Sequence, residues 1–97
     1  MAYEIRFVAT AKSHLRGLSA RDRVATVEAT EAQLSHEPLT ETRNRKRLRP
    51  NPIAPWELRV GNIRVFYEVD EPGIVTILAI GVKDGSRLYL EGEEIHL

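Results

Sequence analysis

Residues 56–69, WELRVGNIRVFYEV, limit what this chain can fold into more than any other stretch. Trp56, Leu58 and Val60 alternate with Glu57 and Arg59. After Gly61-Asn62, Ile63, Val65, Tyr67 and Val69 alternate with Arg64, Phe66 and Glu68. Period-two alternation on both sides of a short Gly-Asn turn predicts a β-hairpin. A two-residue turn also sets the register: Val60 opposite Ile63, Arg59 opposite Arg64, Leu58 opposite Val65, Trp56 opposite Tyr67. Side chains alternate between faces. One face is therefore apolar and suited to wall a core. The other carries Glu57, Arg59, Arg64 and Phe66. Like charges directly opposite on a sheet cost stability, so the Arg59/Arg64 pair calls for a partner.

The rest of the chain supplies elements to pack on that hairpin. Residues 3–9 (YEIRFVA) alternate as a strand. Thr10 offers an N-cap to a short helix with Leu15 and Leu18 on one side, weakened at its end by Gly17. Ser19 with Asp22 resembles a capping box and opens a longer helix from residue 20 to about 35. Its thin apolar face is Val24, Val27 and Leu34, and Pro38 stops it. Residues 37–55 form a long connection holding four prolines and the run TRNRKRLRP. DEPG (residues 70–73) is a second turn. IVTILAIGV (residues 74–82) reads as a strand covered on both faces, and KDGS ends it. The closing RLYLEGEEIHL fits strand or helix equally. Strand, helix, helix, then three strands predicts an α+β fold. It has one twisted, mainly antiparallel sheet of about four strands, with both helices on one face. The first strand joins that sheet by a helical crossover.

A length of 97 residues suits a single domain, residues 1–97. No apolar run nears the roughly 18 residues of a membrane span, and the N-terminus lacks a signal-peptide pattern. With no cysteine, disulfides and thiolate metal sites are excluded, and a cytoplasmic location is expected. His14, His36 and His96 are scattered, so no metal site is expected. Single, dispersed glycines make no phosphate loop, and no small-molecule cofactor is expected. Net charge is zero, from 14 basic and 14 acidic residues, but it is unevenly spread. Arg43, Arg45, Lys46, Arg47 and Arg49 cluster without an acid, whereas Glu91, Glu93 and Glu94 crowd the C-terminus. A local basic field attracts a polyanion even when the total charge is nil.

The arginine-bearing face invites an anion. Two guanidiniums can clamp a phosphate by charge-assisted bonds, and Phe66 beside them can stack on a base. The equally open reading is that Glu57 and Glu68 neutralise both arginines on a solvated face. Arg64, taken as outward, is expected to support little core. Lys83 adds a cation at the end of the apolar strand, and Tyr89 a phenol beyond it.

With NPIAPWELRVGNIRVFYEVDE and VTILAIGVKDGSRLY, the chain resembles the RelE/ParE superfamily of toxins from type II toxin–antitoxin systems. The resemblance covers nearly the whole chain and implies the RelE-like fold. In the RelE-like branch it implies an endoribonuclease that cuts mRNA on the ribosome. There the RNA 2′-hydroxyl attacks the adjacent phosphate without metal. Position by position it assigns Arg59, Arg64 and Lys83 to charge stabilisation and Tyr89 to stacking or proton transfer. The basic run from Arg43 to Arg49 would then grip ribosomal RNA. Glu57 stands where well-known members carry lysine, and there serves as a general base or quenches Arg59. A cognate antitoxin is implied as partner, with an acidic or amphipathic segment over the basic face or on a sheet edge. The alternatives are a ParE-like inhibitor of DNA gyrase and a binding module without catalysis.

Overall fold

The computed structural model describes residues 2–70 and 73–97. The elements run β1 (Glu4–Phe7), α1 (Ala9–Arg16), α2 (Ala20–Leu34), β2 (Arg45–Arg47), β3 (Trp56–Val60), β4 (Ile63–Asp70), β5 (Ile74–Asp84), β6 (Arg87–Leu90) and β7 (Glu93–Ile95). The α+β architecture is as expected, with seven strands among the described residues rather than about four. The additional strands come from two places. The basic run supplies β2, and the C-terminal segment folds as the β6–β7 hairpin, which settles strand over helix. Neighbours in the order β2-β3-β4-β5-β6-β7 are antiparallel, and β1 lies parallel to the first half of β5 through the helical crossover.

The hairpin register is the one its turn dictates, from Val60↔Ile63 to Trp56↔Tyr67. Of the Asp70–Gly73 turn, Glu71 and Pro72 lie outside the described residues. Its ends are joined by the Gly73 N–H donating to the Asp70 carbonyl at 2.9 Å.

Both helices depart in detail from the sequence reading. Val8, not Thr10, is the N-cap of α1 and makes no side-chain cap bond. Thr10 lies one residue inside the helix. In α2 the Ser19 hydroxyl accepts from the Asp22 N–H at 3.1 Å, as its spacing predicts. The buried face, however, is Thr26, Thr30 and Leu34, and Val24 is exposed. Those three recur every four residues on one stripe, and Val24 is two residues out of phase with it. The Thr26 and Thr30 hydroxyls are buried there with no hydrogen-bond partner among the described residues.

The sheet has a core on each side. On the helix side, Leu58, Val65, Tyr67, Val75, Ile77 and Ile80 pack with Ala11 and Leu34. Tyr67 stacks on Trp56 with ring centroids 6.0 Å apart. Its buried hydroxyl donates to the Pro38 carbonyl at 2.6 Å, fastening the long connection to the sheet. On the opposite side Phe66, Ala79, Leu88 and Ala54 form a smaller cluster, flanked by Leu48, Ile53, Leu90 and Ile95. The 48–55 segment and the C-terminal hairpin thus cover a face that alternation alone leaves wet. Asn51 holds that segment in shape. Its amide nitrogen donates to the Arg49 and Ala54 carbonyls, both at 2.8 Å, and its oxygen accepts from the Ile53 and Ala54 N–H groups.

β5 lines both cores, as its unbroken apolar run predicts. Alternation puts its side chains on both faces, and Leu78 is an extra residue in the pairing: Phe66 pairs with Ala79 and Tyr67 with Ile77. Such a bulge resets which side chains face which core. No helix among the described residues is long and apolar enough to cross a membrane.

Candidate anion-binding site

Arg59 and Arg64 pair directly across β3 and β4. Glu57, two residues before Arg59 on the same face, answers both. Its Oε2 lies 3.5 Å from Arg59 Nε and its Oε1 3.9 Å from Arg64 Nε. The two arginines are not equivalent. The Arg59 side chain is 45% exposed and the Arg64 side chain 12%. Arg64 folds back on the hairpin turn, where Nη1 donates to the Gly61 carbonyl at 2.8 Å and the Ile63 carbonyl at 3.0 Å. Its Nε is buried without a hydrogen-bond partner. Burial lowers the Arg64 pKa from its ordinary value; Glu57 opposes the shift and Arg59 adds to it. Arg64 therefore contributes to the fold as well as to the local charge, a correction to the expectation that it is outward and supports little core.

Lys83 comes to the same place. Gly81 pairs with Arg64, so Lys83, two residues on, lies on the arginine face. Its N–H donates to the Asn62 carbonyl at 2.7 Å, closing the β5 strand against the hairpin turn. Lys83, Arg59 and Glu57 then join Lys46, Arg47 and Arg49 around a groove of about 510 Å³. Among the described residues, Glu57 is the one acidic side chain lining the groove. A cleft in which one sign of charge predominates concentrates counter-ions.

Four expected participants stand elsewhere. Phe66 is fully buried in the second core and has no face for a base. Its neighbours in that core come from distant segments, which alternation along β4 does not reveal. Tyr89 pairs with Val82 and so projects to the helix side, opposite Arg64 and Lys83. The basic run also divides. Arg45 donates to the Thr40 carbonyl at 3.0 Å and the Gln33 carbonyl at 2.7 Å, tying the connection to the end of α2. The Arg47 guanidinium lies 5.9 Å from the centre of the Trp56 ring. Arg43 is exposed ahead of β2 and is not among the lining residues. Lys46, Arg47 and Arg49 line the groove, Arg47 while also lying over the Trp56 ring.

His14, which no spacing marks, is buried. Its Nδ1 accepts the Ile80 N–H at 3.1 Å, across a separation of 66 residues. Among the described residues, no group of three or more His, Asp or Glu side chains is placed to hold a metal ion.

The family model for the ParE toxin of the type II toxin–antitoxin system parDE matches residues 5–86. The chain belongs to the RelE/ParE superfamily of type II toxins. The match takes in Glu57, Arg59, Arg64 and Lys83 and ends before Tyr89. The toxin is also similar to a chain in the crystal structure of the toxin–antitoxin complex RelBE2 from Mycobacterium tuberculosis. Identity there is 33%, the TM-score is 0.74, and the likeness covers 86% of this toxin and 100% of that chain. No curated protein matches the toxin's sequence.

Proposed function

We propose that this toxin cuts mRNA on the ribosome in the cytoplasm, using the Arg59–Lys83 groove. The observation that carries the reading is the groove itself, with cations from β2, β3, β5 and the 48–55 segment and a single acid, Glu57. The likeness to a RelBE complex supports it. In this reading the scissile phosphate enters between Arg59 and Lys83. The RNA 2′-oxygen forms a bond to phosphorus, the bond from phosphorus to the 5′-oxygen breaks, Glu57 takes the 2′-hydroxyl proton, and the departing 5′-oxygen takes a proton from water. The products are a 2′,3′-cyclic phosphate and a 5′-hydroxyl. Arg59 and Lys83 face the charge that grows on the phosphate oxygens, where preorganised cations are worth most. Arg64, fixed by the turn carbonyls, keeps a positive charge 3.9 Å from the Glu57 carboxylate. Lys46 and Arg49 bind flanking phosphates, which position the strand without reading its sequence. Tyr89 has no part in this site.

The parDE family model favours a second reading, inhibition of DNA gyrase by binding. Pulse labelling after induction separates the two. Amino-acid incorporation falling before thymidine incorporation, with new cyclic-phosphate ends in mRNA, supports cleavage. Thymidine incorporation falling first moves the assignment to gyrase.

A further inference from the structure

A second cavity, of about 530 Å³, opens on the helix side of the sheet, away from the basic groove. It follows from the lengths of the elements. Along β5, the pairing with β1 ends at Phe7↔Ile77 and the pairing with β6 runs from Val82↔Tyr89 to Asp84↔Arg87. Between them the Ile80 N–H has His14 as its partner. With Nδ1 accepting, the neutral imidazole carries its proton on Nε2. Helix α1 ends at Arg16, and the turn between β6 and β7 closes the far side, where the Ser13 hydroxyl donates to Glu91 at 2.6 Å.

The chemistry of this cavity is the inverse of the groove's. Its apolar floor is Leu18, Ile80 and Val82, with Tyr89 at one side. Its charged lining residues are Asp84 and Glu91, and among the described residues no Lys or Arg lines it, although Arg87 pairs with Asp84 across the strands. A cavity of this size accepts one or two large side chains. Acids at its rim select a cation beside them.

We propose that this cavity seats the cognate antitoxin, through an apolar side chain on the Leu18–Ile80–Val82 floor flanked by a Lys or Arg that pairs with Asp84 and Glu91. An acidic antitoxin segment suits only the groove on the other face. The antitoxin therefore holds the toxin by two chemically opposite contacts, and the one here leaves the groove to a separate segment. This rests on membership of a toxin–antitoxin family and not on the cleavage chemistry.

The test uses the toxin co-expressed and purified with its antitoxin. Amide exchange is compared in free and bound toxin, and affinity is measured for wild type, Asp84→Asn and Asp84→Lys, each checked for an unchanged melting temperature. Asp84 is exposed but pairs with Arg87 across β5 and β6, so the melting temperature separates lost affinity from lost stability in Asp84→Lys, and Asp84→Asn tests the charge without a like-charge pair. The expected result is slower exchange in residues 80–84 and 89–92. Affinity should weaken in the order Asp84→Asn, then Asp84→Lys, the latter by about tenfold or more. A photo-cross-linker in place of Tyr89 should capture an antitoxin segment in which an apolar residue adjoins Lys or Arg. Unchanged exchange in both segments overturns the proposal. So does capture of an acidic segment, or undiminished affinity of Asp84→Lys. Loss of RNA cleavage bears on the groove alone.

Discussion

Arg59 and Arg64 face each other across the β3–β4 hairpin, and each directs its Nε toward a different oxygen of Glu57. The like-charge pair is tolerated because Glu57 answers both cations and the turn carbonyls take up Arg64. What remains available is Arg59, half out in solvent beside Lys83. The pair thus divides labour between holding the hairpin and presenting charge.

That division predicts different outcomes for two alanine substitutions. Arg59→Ala should abolish growth arrest with little change in melting temperature. Arg64→Ala loses two charge-assisted bonds to backbone carbonyls and should destabilise by about 1–3 kcal/mol. At this chain length that is roughly 4–8 °C in Tm per kcal/mol. Thermal denaturation of both variants, beside growth curves, checks it. Equal melting temperatures would remove the structural role assigned to Arg64.

Glu57→Gln keeps the shape of the side chain and removes its charge. Single-stranded RNA should bind more tightly, by about threefold to tenfold, because the groove loses its acid. Cleavage should slow, because the proposed proton acceptor is gone. Fluorescence anisotropy and a ribosome-programmed cleavage assay read the two effects separately. Weaker RNA binding by this variant would argue against an anion site in the groove.

The basic run offers a comparison within five residues. Lys46→Ala and Arg49→Ala should each lower the slope of log affinity against log salt by about 0.7, the share of one phosphate on a single strand. Arg45→Ala should leave that slope unchanged and lower stability instead, since its guanidinium binds the Gln33 and Thr40 carbonyls. Salt titrations of the three variants distinguish cations that face a ligand from one that braces the fold.

Local patterns in the sequence carried the hairpin, its register, the Ser19 cap and the doubly covered β5, because alternation, turn chemistry and capping act over a few residues. Long-range packing stayed hidden. Phe66 sits on the polar side of a clean alternation, and only the return of Ala54 and Leu88 from elsewhere buries it. Tyr89 follows Lys83 closely in sequence, yet strand parity across the β5–β6 pairing puts it on the other face. Arg45 reads as one more cation in a run until Gln33 and Thr40 approach it in space. Cation spacing therefore located the groove but did not identify which members of the run line it.

The Tyr67 phenol gives a pH signature. Burial pushes its pKa well above the ordinary value, while Arg45 pulls it down less. In the unfolded chain a tyrosine loses its proton near pH 10; in the folded protein Tyr67 keeps it. A group whose pKa rises on folding stabilises below its unfolded pKa, and that contribution declines as pH rises toward the folded value. Stability should accordingly fall above about pH 10. Tyr67→Phe should cost about 0.5–1.5 kcal/mol at neutral pH, since the Pro38 carbonyl loses its donor. The gap between variant and wild type should then narrow in alkali. Urea unfolding at neutral and alkaline pH measures that gap, and a gap that widens above pH 10 would contradict the burial argument.

Gly81 links the sheet to the groove. It pairs with Arg64 on one side, and a Cβ there would lie 2.8 Å from Leu88 Cδ1 and from Leu90 Cδ2, and 3.0 Å from the Tyr89 carbonyl oxygen. The leucine methyls can turn aside, but the carbonyl belongs to β6 and moves only with the strand. Gly81→Ala should therefore destabilise by about 1–3 kcal/mol through overpacking. It should also shift β6 against β5, close to Lys83. RNA affinity should drop with stability, although no cation has been removed. If the variant binds RNA like wild type while melting earlier, the position of Lys83 does not depend on how β6 seats over Gly81, and the groove is held by the β3–β4 hairpin alone.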